Sequence, residues 1–165
     1  MGVKIGLISD THSHLEDGVK TFFANCDEIW HCGDVGEYRV IEELDKIAPV
    51  RVVHGNIDWG DVLNKFPEYQ VFSAGPLKVV MIHIGGYPGR YSQIAKRLIM
   101  SEKPGLFVCG HSHILKVMFD KKFNCLVVNP GAAGNTGFHV VKTAVRFDIE
   151  DGVPMNMEVW EKNRG

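Results

Sequence analysis

No hydrophobic run in this sequence is long enough to cross a bilayer, which takes about 20 apolar residues in a helix. The first apolar stretch, from Val3, is cut short by Asp10 and is too brief and polar-flanked for a signal peptide. Gly2 follows Met1, but Gly6 stands where a myristoylation pattern needs Ser or Thr. Charge of one sign is also lacking. With 18 Lys and Arg against 20 Asp and Glu the net charge is -2, which argues against affinity built on neutralising nucleic-acid phosphates. Cysteine is sparse, and Cys26, Cys32, Cys109 and Cys125 form no pair at zinc or redox spacing. In a domain of this size these thiols read as small buried hydrophobes. Repeats, linkers and low-complexity tracts are missing too. The expectation is a cytoplasmic protein with no membrane partner and no strong nucleic-acid binding; homo-oligomerisation stays open.

The remaining composition is ordinary for a globular chain, 45% hydrophobic and 23% charged over 165 residues, and one domain spanning 1–165 is expected. Strand-like runs alternate with helical spacing: a strand at 3–8, a helix at 15–26, a strand at 29–32, a helix at 38–48 ended by Pro49, and a strand at 50–53. That rhythm predicts an α/β sheet with right-handed crossovers. Beyond it, Gly75-Pro76 separates two hairpin strands at 70–74 and 77–82, and a helix is expected at 92–100. A buried strand follows at 106–109, then a pair at 115–119 and 125–128. The Asp151-Gly152 turn joins strands at 143–149 and 155–160. A mixed sheet or two sheets satisfy this order.

Five apolar runs each end in a residue able to ligate a metal. They give Asp10-Thr11-His12, Gly33-Asp34, Gly55-Asn56, His83, and Gly110-His111-Ser112-His113. Carboxyl ends of strands in open α/β sheets face one crevice, so residues distant in sequence would meet there. The glycines before Asp34, Asn56 and His111 permit sharp turns and close backbone approach. Taken singly, such an Asp reads as a cap or turn former and such a His as a surface or core residue. Five endings together read as a site. Carboxylate, imidazole and amide ligands without thiolate suit manganese foremost, with iron, zinc or nickel as alternatives. Seven ligands exceed what one open catalytic ion needs and suit two sharing a bridge. Such a pair clamps a phosphate and activates the water that attacks phosphorus.

These motifs resemble the calcineurin-like metallophosphoesterase superfamily, whose series is Asp-x-His, Gly-Asp-x-x-Asp, Gly-Asn-His-Asp/Glu, a lone His and Gly-His-x-His. The likeness runs from Val3 to His113, and the short chain is similar to the family's small microbial phosphodiesterases and to a retromer trafficking subunit of the same fold. It implies a four-layer α-β-β-α sandwich and a phosphoesterase, a diesterase before a monoesterase, acting on a small phosphoester through a metal-bridging water. By matched positions, one ion takes Asp10, His12, Asp34 and His113. The other takes Asp34 as bridge with Asn56, His83 and His111, and Asn56 also orients the phosphate. The chain departs from the series at Ile57, where the family has the histidine proposed to protonate the leaving group. Asp58 remains without that histidine to orient. Glu37 replaces the third acidic residue, and Ile84 stands where many members have Gly.

His54, two residues before Asn56, is a candidate stand-in for the missing acid, against the plainer reading of a structural or solvent-facing ring. His14 carries the same pair of readings, while His31 and His139, the latter opening a strand, read as structural. Arg90 is a candidate phosphate contact, set against an exposed helix-entry arginine. Trp59, Tyr87 and Phe138 can stack a base or simply pack. Gly131 to Gly134 makes a weak phosphate loop with no lysine after it. Two other function classes compete: a catalytically weak interaction scaffold of the same fold, which would be free to lose these ligands, and a metal amidohydrolase, whose barrel needs about 250 residues. A phosphatase with an aspartyl nucleophile would need Asp where His12 stands.

Overall fold

The computed structural model describes residues 2–165. It contains two five-stranded mixed sheets. The first is built around β1 (Val3–Ile8), β2 (Glu28–His31) and β3 (Val50–Val52), which run parallel. Helices α1 (Asp17–Phe22) and α2 (Arg39–Asp45) make the crossovers. A short α3 (Gly60–Lys65) leads out to the second sheet, which holds β4 (Tyr69–Ala74) and β5 (Leu77–Ile82). Helix α4 (Gln93–Glu102) follows, then β6 (Leu106–Val108), β7 (Leu115–Asp120) and β8 (Cys125–Pro130). The chain returns to the first sheet with β9 (Val141–Glu150) and β10 (Val153–Asn163). Strand order is β10-β9-β1-β2-β3 in one sheet and β4-β5-β6-β8-β7 in the other.

Period-two alternation explains how these strands make four layers. Val79, Met81, Leu106 and Val108 face Ile5, Leu7, Trp30, Val145 and Phe147 in a core between the sheets. Their neighbours Val80, Ile82, Phe107 and Cys109 point the other way, onto Ala95 and Ile99 of α4. On the far side, Ile8, Ile29 and Val52 pack against Val19 of α1, Val40 and Leu44 of α2, and Val62 of α3. Strands covered on both faces read as continuous apolar runs. Trp30 ties the sheets together: its ring meets Phe72 of the opposite sheet edge-on at 5.0 Å. Truncating a buried aromatic of this kind costs about 3–5 kcal/mol.

The differences from the sequence expectation are local. The first helix is six residues long rather than twelve, because the chain after Phe22 turns to start β2. Helix α2 is also shorter than 38–48. Helix α3 is new. It buries only Val62 and so leaves no periodic signature. His139 lies before β9, which begins at Val141. The Asp151-Gly152 turn is as expected, with φ of 51° and 78°, the positive pair that a tight hairpin requires.

Candidate metal centre

The five endings do meet. β1, β2 and β3 of one sheet and β5 and β6 of the other present their carboxyl ends to a common junction, and the loops beyond are laced together. The Asp10 amide donates to the Gly33 carbonyl and that of His12 to the Asp34 carbonyl, both at 3.0 Å. The Gly110 amide donates to the His83 carbonyl at 2.9 Å. From the loop after β8, Ala133 and Gly134 donate to Ser9 and Asp10. The Gly131–Gly134 segment is therefore a brace for the first ligand loop. Asp58 plays a similar part: its carboxylate accepts from the amides of Gly36 (2.9 Å) and Gly55 (2.7 Å), joining the second and third loops.

Backbone conformation shows how tightly these residues are held. Asp10, His12, Asp34, His111 and His113 all have left-handed φ, between 45° and 72°. Side-chain-bearing residues rarely adopt that region, and each such residue costs on the order of 1–3 kcal/mol unless its surroundings impose it. Gly33, at φ 99°, makes the turn before Asp34. A methyl group at Gly55 would strike the Asp34 carboxylate, so a glycine there lets two loops touch.

Asp10, Asp34 and His83 each spend one polar atom on the scaffold and leave another facing inward. Asp10 Oδ2 accepts from Ser9 Oγ (2.6 Å) and the His111 amide (3.0 Å). Asp34 Oδ1 accepts from the Ile57 amide at 3.0 Å. His83 Nδ1 donates to the Cys32 carbonyl at 2.7 Å, which fixes the tautomer with a free Nε2. Three of the inward atoms, Asp10 Oδ1, His12 Nε2 and His83 Nε2, are buried without any hydrogen-bond partner. Native proteins leave few such atoms unsatisfied. Asp34 Oδ2 sits 3.2 Å from His83 Nε2 and 3.5 Å from His12 Nε2, while Asp10 Oδ1 is 3.2 Å from His113 Nε2.

Two groups able to hold a metal result: Asp10, His12 and His113, and Asp34, His83 and His111. Within each, one ligand atom per residue lies within 4.8 Å of the others. Asn56 Oδ1 is 3.0 Å from His111 Nδ1, beside the second group. Burial works to raise the Asp10 and Asp34 carboxyls, but the imidazoles around them hold both below the ordinary carboxylate value. Burial presses His83 the other way, yet Asp34 and Asp10 carry it above the usual imidazole value. Nearby thiols take no part. Burial pushes Cys109 up to about 12 and raises Cys32 well above its ordinary value, so neither is a ready thiolate. The donor set is carboxylate, imidazole and amide oxygen, and the orphaned atoms fit divalent ions.

The remaining candidates fall around the rim. His54 Nδ1 donates to the Phe66 carbonyl at 2.9 Å. Its ring lines a cleft of about 440 Å³ with Asn56, His83 and Ile84. Arg90 and Tyr87 line a second cleft of about 290 Å³ beside His111. Trp59 and Phe138 instead project into solvent and line neither cleft. His14 turns away to Glu16 at 3.0 Å, and Glu37 pairs with Arg39 at 2.7 Å. His31 has the structural role expected of it. It is fully buried, takes the Gly33 amide at Nδ1 (3.1 Å) and meets Thr11 Oγ1 at Nε2 (3.0 Å).

His139 has the structural role expected of it, but one aimed at the site, which the sequence did not show. Its Nε2 bonds the Gly134 carbonyl at 2.8 Å, so that nitrogen carries the proton. Its Nδ1 lies 3.1 Å from His113 Nδ1 and is left to accept, so His113 donates there and keeps a bare Nε2 turned towards Asp10. A single histidine 26 residues from its partner gives no spacing signal.

Known proteins resemble this chain in sequence and fold. The calcineurin-like phosphoesterase superfamily domain matches residues 3–152. A protein of Methanocaldococcus jannaschii named as a probable metallophosphoesterase is 32% identical over 153 residues, covering 89% of this chain and 76% of that one. A phosphodiesterase of the same organism is 27% identical over 145 residues, 78% of this chain and 83% of its own. Vps29 of Chaetomium thermophilum shares the fold, with a TM-score of 0.76 at 16% identity over 97% of both chains. Among the described residues no helix is long and apolar enough to cross a membrane. With nearly its whole length matched, and with paired Asp/His groups at the junction of its two sheets, the chain belongs to the calcineurin-like phosphoesterase superfamily.

Proposed function

We propose that the chain, as one domain over its whole length, is a phosphodiesterase that works with two divalent metal ions, manganese foremost. The observation that carries this reading is the set of unpartnered buried atoms on Asp10, His12 and His83, with Asp34 Oδ2 lying between the two groups. One ion would be held by Asp10, His12, Asp34 and His113. The other would be held by Asp34, Asn56, His83 and His111. Bound there, the ions supply Lewis acidity and make water nucleophilic near neutral pH.

The chain's own groups do the rest. Asp34, with Oδ1 anchored by the Ile57 amide, turns Oδ2 to both groups at once. Asn56, whose Oδ1 stands beside His111, orients a phosphate oxygen through its amide. Hydrolysis of a diester forms one P–O bond to water and breaks another, and the departing alkoxide needs a proton. Ile57 cannot give it. His54, with Nδ1 committed to Phe66 and its ring in the cleft shared with Asn56 and His83, is the proposed donor, giving the Nε2 proton of its imidazolium form. Arg90 is the proposed contact to a phosphate group of the substrate from the other cleft. That all ligand positions hold competent residues favours the enzyme over a scaffold of this fold.

The experiment is a metal-supplemented screen of bis(p-nitrophenyl) phosphate, p-nitrophenyl phosphate and cyclic nucleotides. Diester turnover should exceed monoester turnover. Asp34→Ala should cost more than the roughly 10–100-fold typical of losing an outer-shell partner. His54→Gln should slow esters of poor leaving groups by about 10²-fold or more while sparing p-nitrophenol release. Full diester activity in Asp34→Ala would refute the reading.

A further inference from the structure

The two clefts flanking the metal centre differ in charge. The one shared by His54, Asn56 and Ile94 contains a carboxylate, Glu68. The one beside His111 contains Arg90 and Lys116 and no acidic residue. Neither cation makes an ion pair among the described residues; Lys116 instead lies over the Tyr87 ring, its Nζ 3.8 Å from the centroid. That contact links the loop before α4 to β7 on the opposite side of the cleft. An ammonium stacked on an aromatic face keeps its full charge, since the ring quadrupole attracts without neutralising.

The wall carrying Arg90 is a built feature rather than a loose loop. The Arg90 amide donates to the Tyr87 carbonyl (2.8 Å) and the Ser92 amide to the Gly85 carbonyl (3.0 Å). Ser92 Oγ donates to Ile84 at 2.8 Å and accepts from the Ala95 amide at 3.2 Å, capping α4 at the cleft. Tyr91 donates to Asp120 at 2.6 Å, which occupies the nearby carboxylate outside the lining. Gly85 lies flat against Cys109 and Phe107, with no room for a side chain. At about 290 Å³ the cleft exceeds what one phosphate oxygen needs, and its apolar lining, Ile84, Ile114 and Val127, suits an organic group.

We infer that this cleft receives the alcohol portion of a phosphodiester that carries a second anionic group, a phosphate or a carboxylate, which Arg90 and Lys116 bind. The inference rests on the phosphodiesterase reading and names the substrate class for it. Two cations in a cleft discriminate by charge and lose that discrimination as salt screens them.

The test compares thymidine 5′-(p-nitrophenyl phosphate) with and without a 3′-phosphate, on manganese-loaded protein at low salt. The expected result is a kcat/KM about tenfold higher for the 3′-phosphorylated ester, carried by KM. The preference should vanish in the Arg90→Gln/Lys116→Gln double variant and shrink in 0.5 M salt. The unphosphorylated ester should be hydrolysed within about twofold of wild type by a Lys116→Gln single variant. Calorimetry with thymidine 3′,5′-bisphosphate against thymidine 5′-phosphate gives the same comparison without turnover. Hydrolysis with equal kcat/KM, or a preference that survives the double variant, overturns the inference alone. Failure to hydrolyse either ester counts against the phosphodiesterase reading. In that event tighter, variant-sensitive bisphosphate binding still supports the cleft assignment, and equal binding overturns it.

Discussion

Histidines separate into ligands and supports according to where their second nitrogen goes. His83 gives Nδ1 to a backbone carbonyl, and His113 gives it to another imidazole that is itself anchored at Gly134. Partners of this kind fix ring orientation and raise ligand basicity. Replacing His139 by Ala should therefore weaken binding of one of the two ions by about 10–100-fold and leave the other near its wild-type affinity, by calorimetry. In the metal-free variant, ¹⁵N shifts should show the His113 tautomer no longer fixed. Unchanged affinities with an unchanged tautomer would make His139 mere packing. His31 makes a second prediction. Burial presses it down to about 4, so between that value and the unfolded imidazole near 6.5 the unfolded chain takes up a proton that the native one refuses. The contribution is whole above about 6.5 and is lost as pH falls towards 4. Urea midpoints of the metal-free protein should drop over that window, and His31→Asn should flatten the slope while lowering stability at pH 7.5. An equal slope in the variant would contradict this.

Elements were legible in proportion to how much periodicity they display. The strands that build the two inner layers announce themselves because both faces are covered, so Val79 to Ile82 and Leu106 to Cys109 read as unbroken apolar runs. Helix α3 was invisible because six residues burying one valine make no pattern. Helix α1 was overextended because Phe23 and Cys26 continue the apolar series after the chain has turned. Seven candidate ligand positions could be marked from strand endings, whereas the αL backbone that five of them adopt could not, since Asp and His are compatible with many conformations. Aiming these side chains depends on close loop contacts. Gly55→Ala should push against the Asp34 carboxylate and lower affinity for both ions at least about tenfold. The far-ultraviolet spectrum should be retained, and metal affinity equal to wild type would show that the loops are free to separate.

At the scale of the molecule, the site exists only where the two sheets meet. Asp10, His12, Asp34 and Asn56 come from one sheet and His83, His111 and His113 from the other, so metal binding there would join the inner layers across their seam. The sequence order predicted strands ending in ligands but not which sheet each strand enters. That depends on β9 and β10 returning to lie beside β1 and on β8 inserting between β6 and β7, pairings between distant segments that local patterns do not encode. The charge contrast between the flanking clefts was equally hidden, because Arg90 and Lys116 converge only after β7 folds back. The most direct measurement is anomalous diffraction from crystals grown with manganese. Two peaks roughly 3.5–4 Å apart, with Asp34 between them and the other six side chains divided around them, are the predicted result. A single peak, or two that do not share Asp34, would contradict the paired centre.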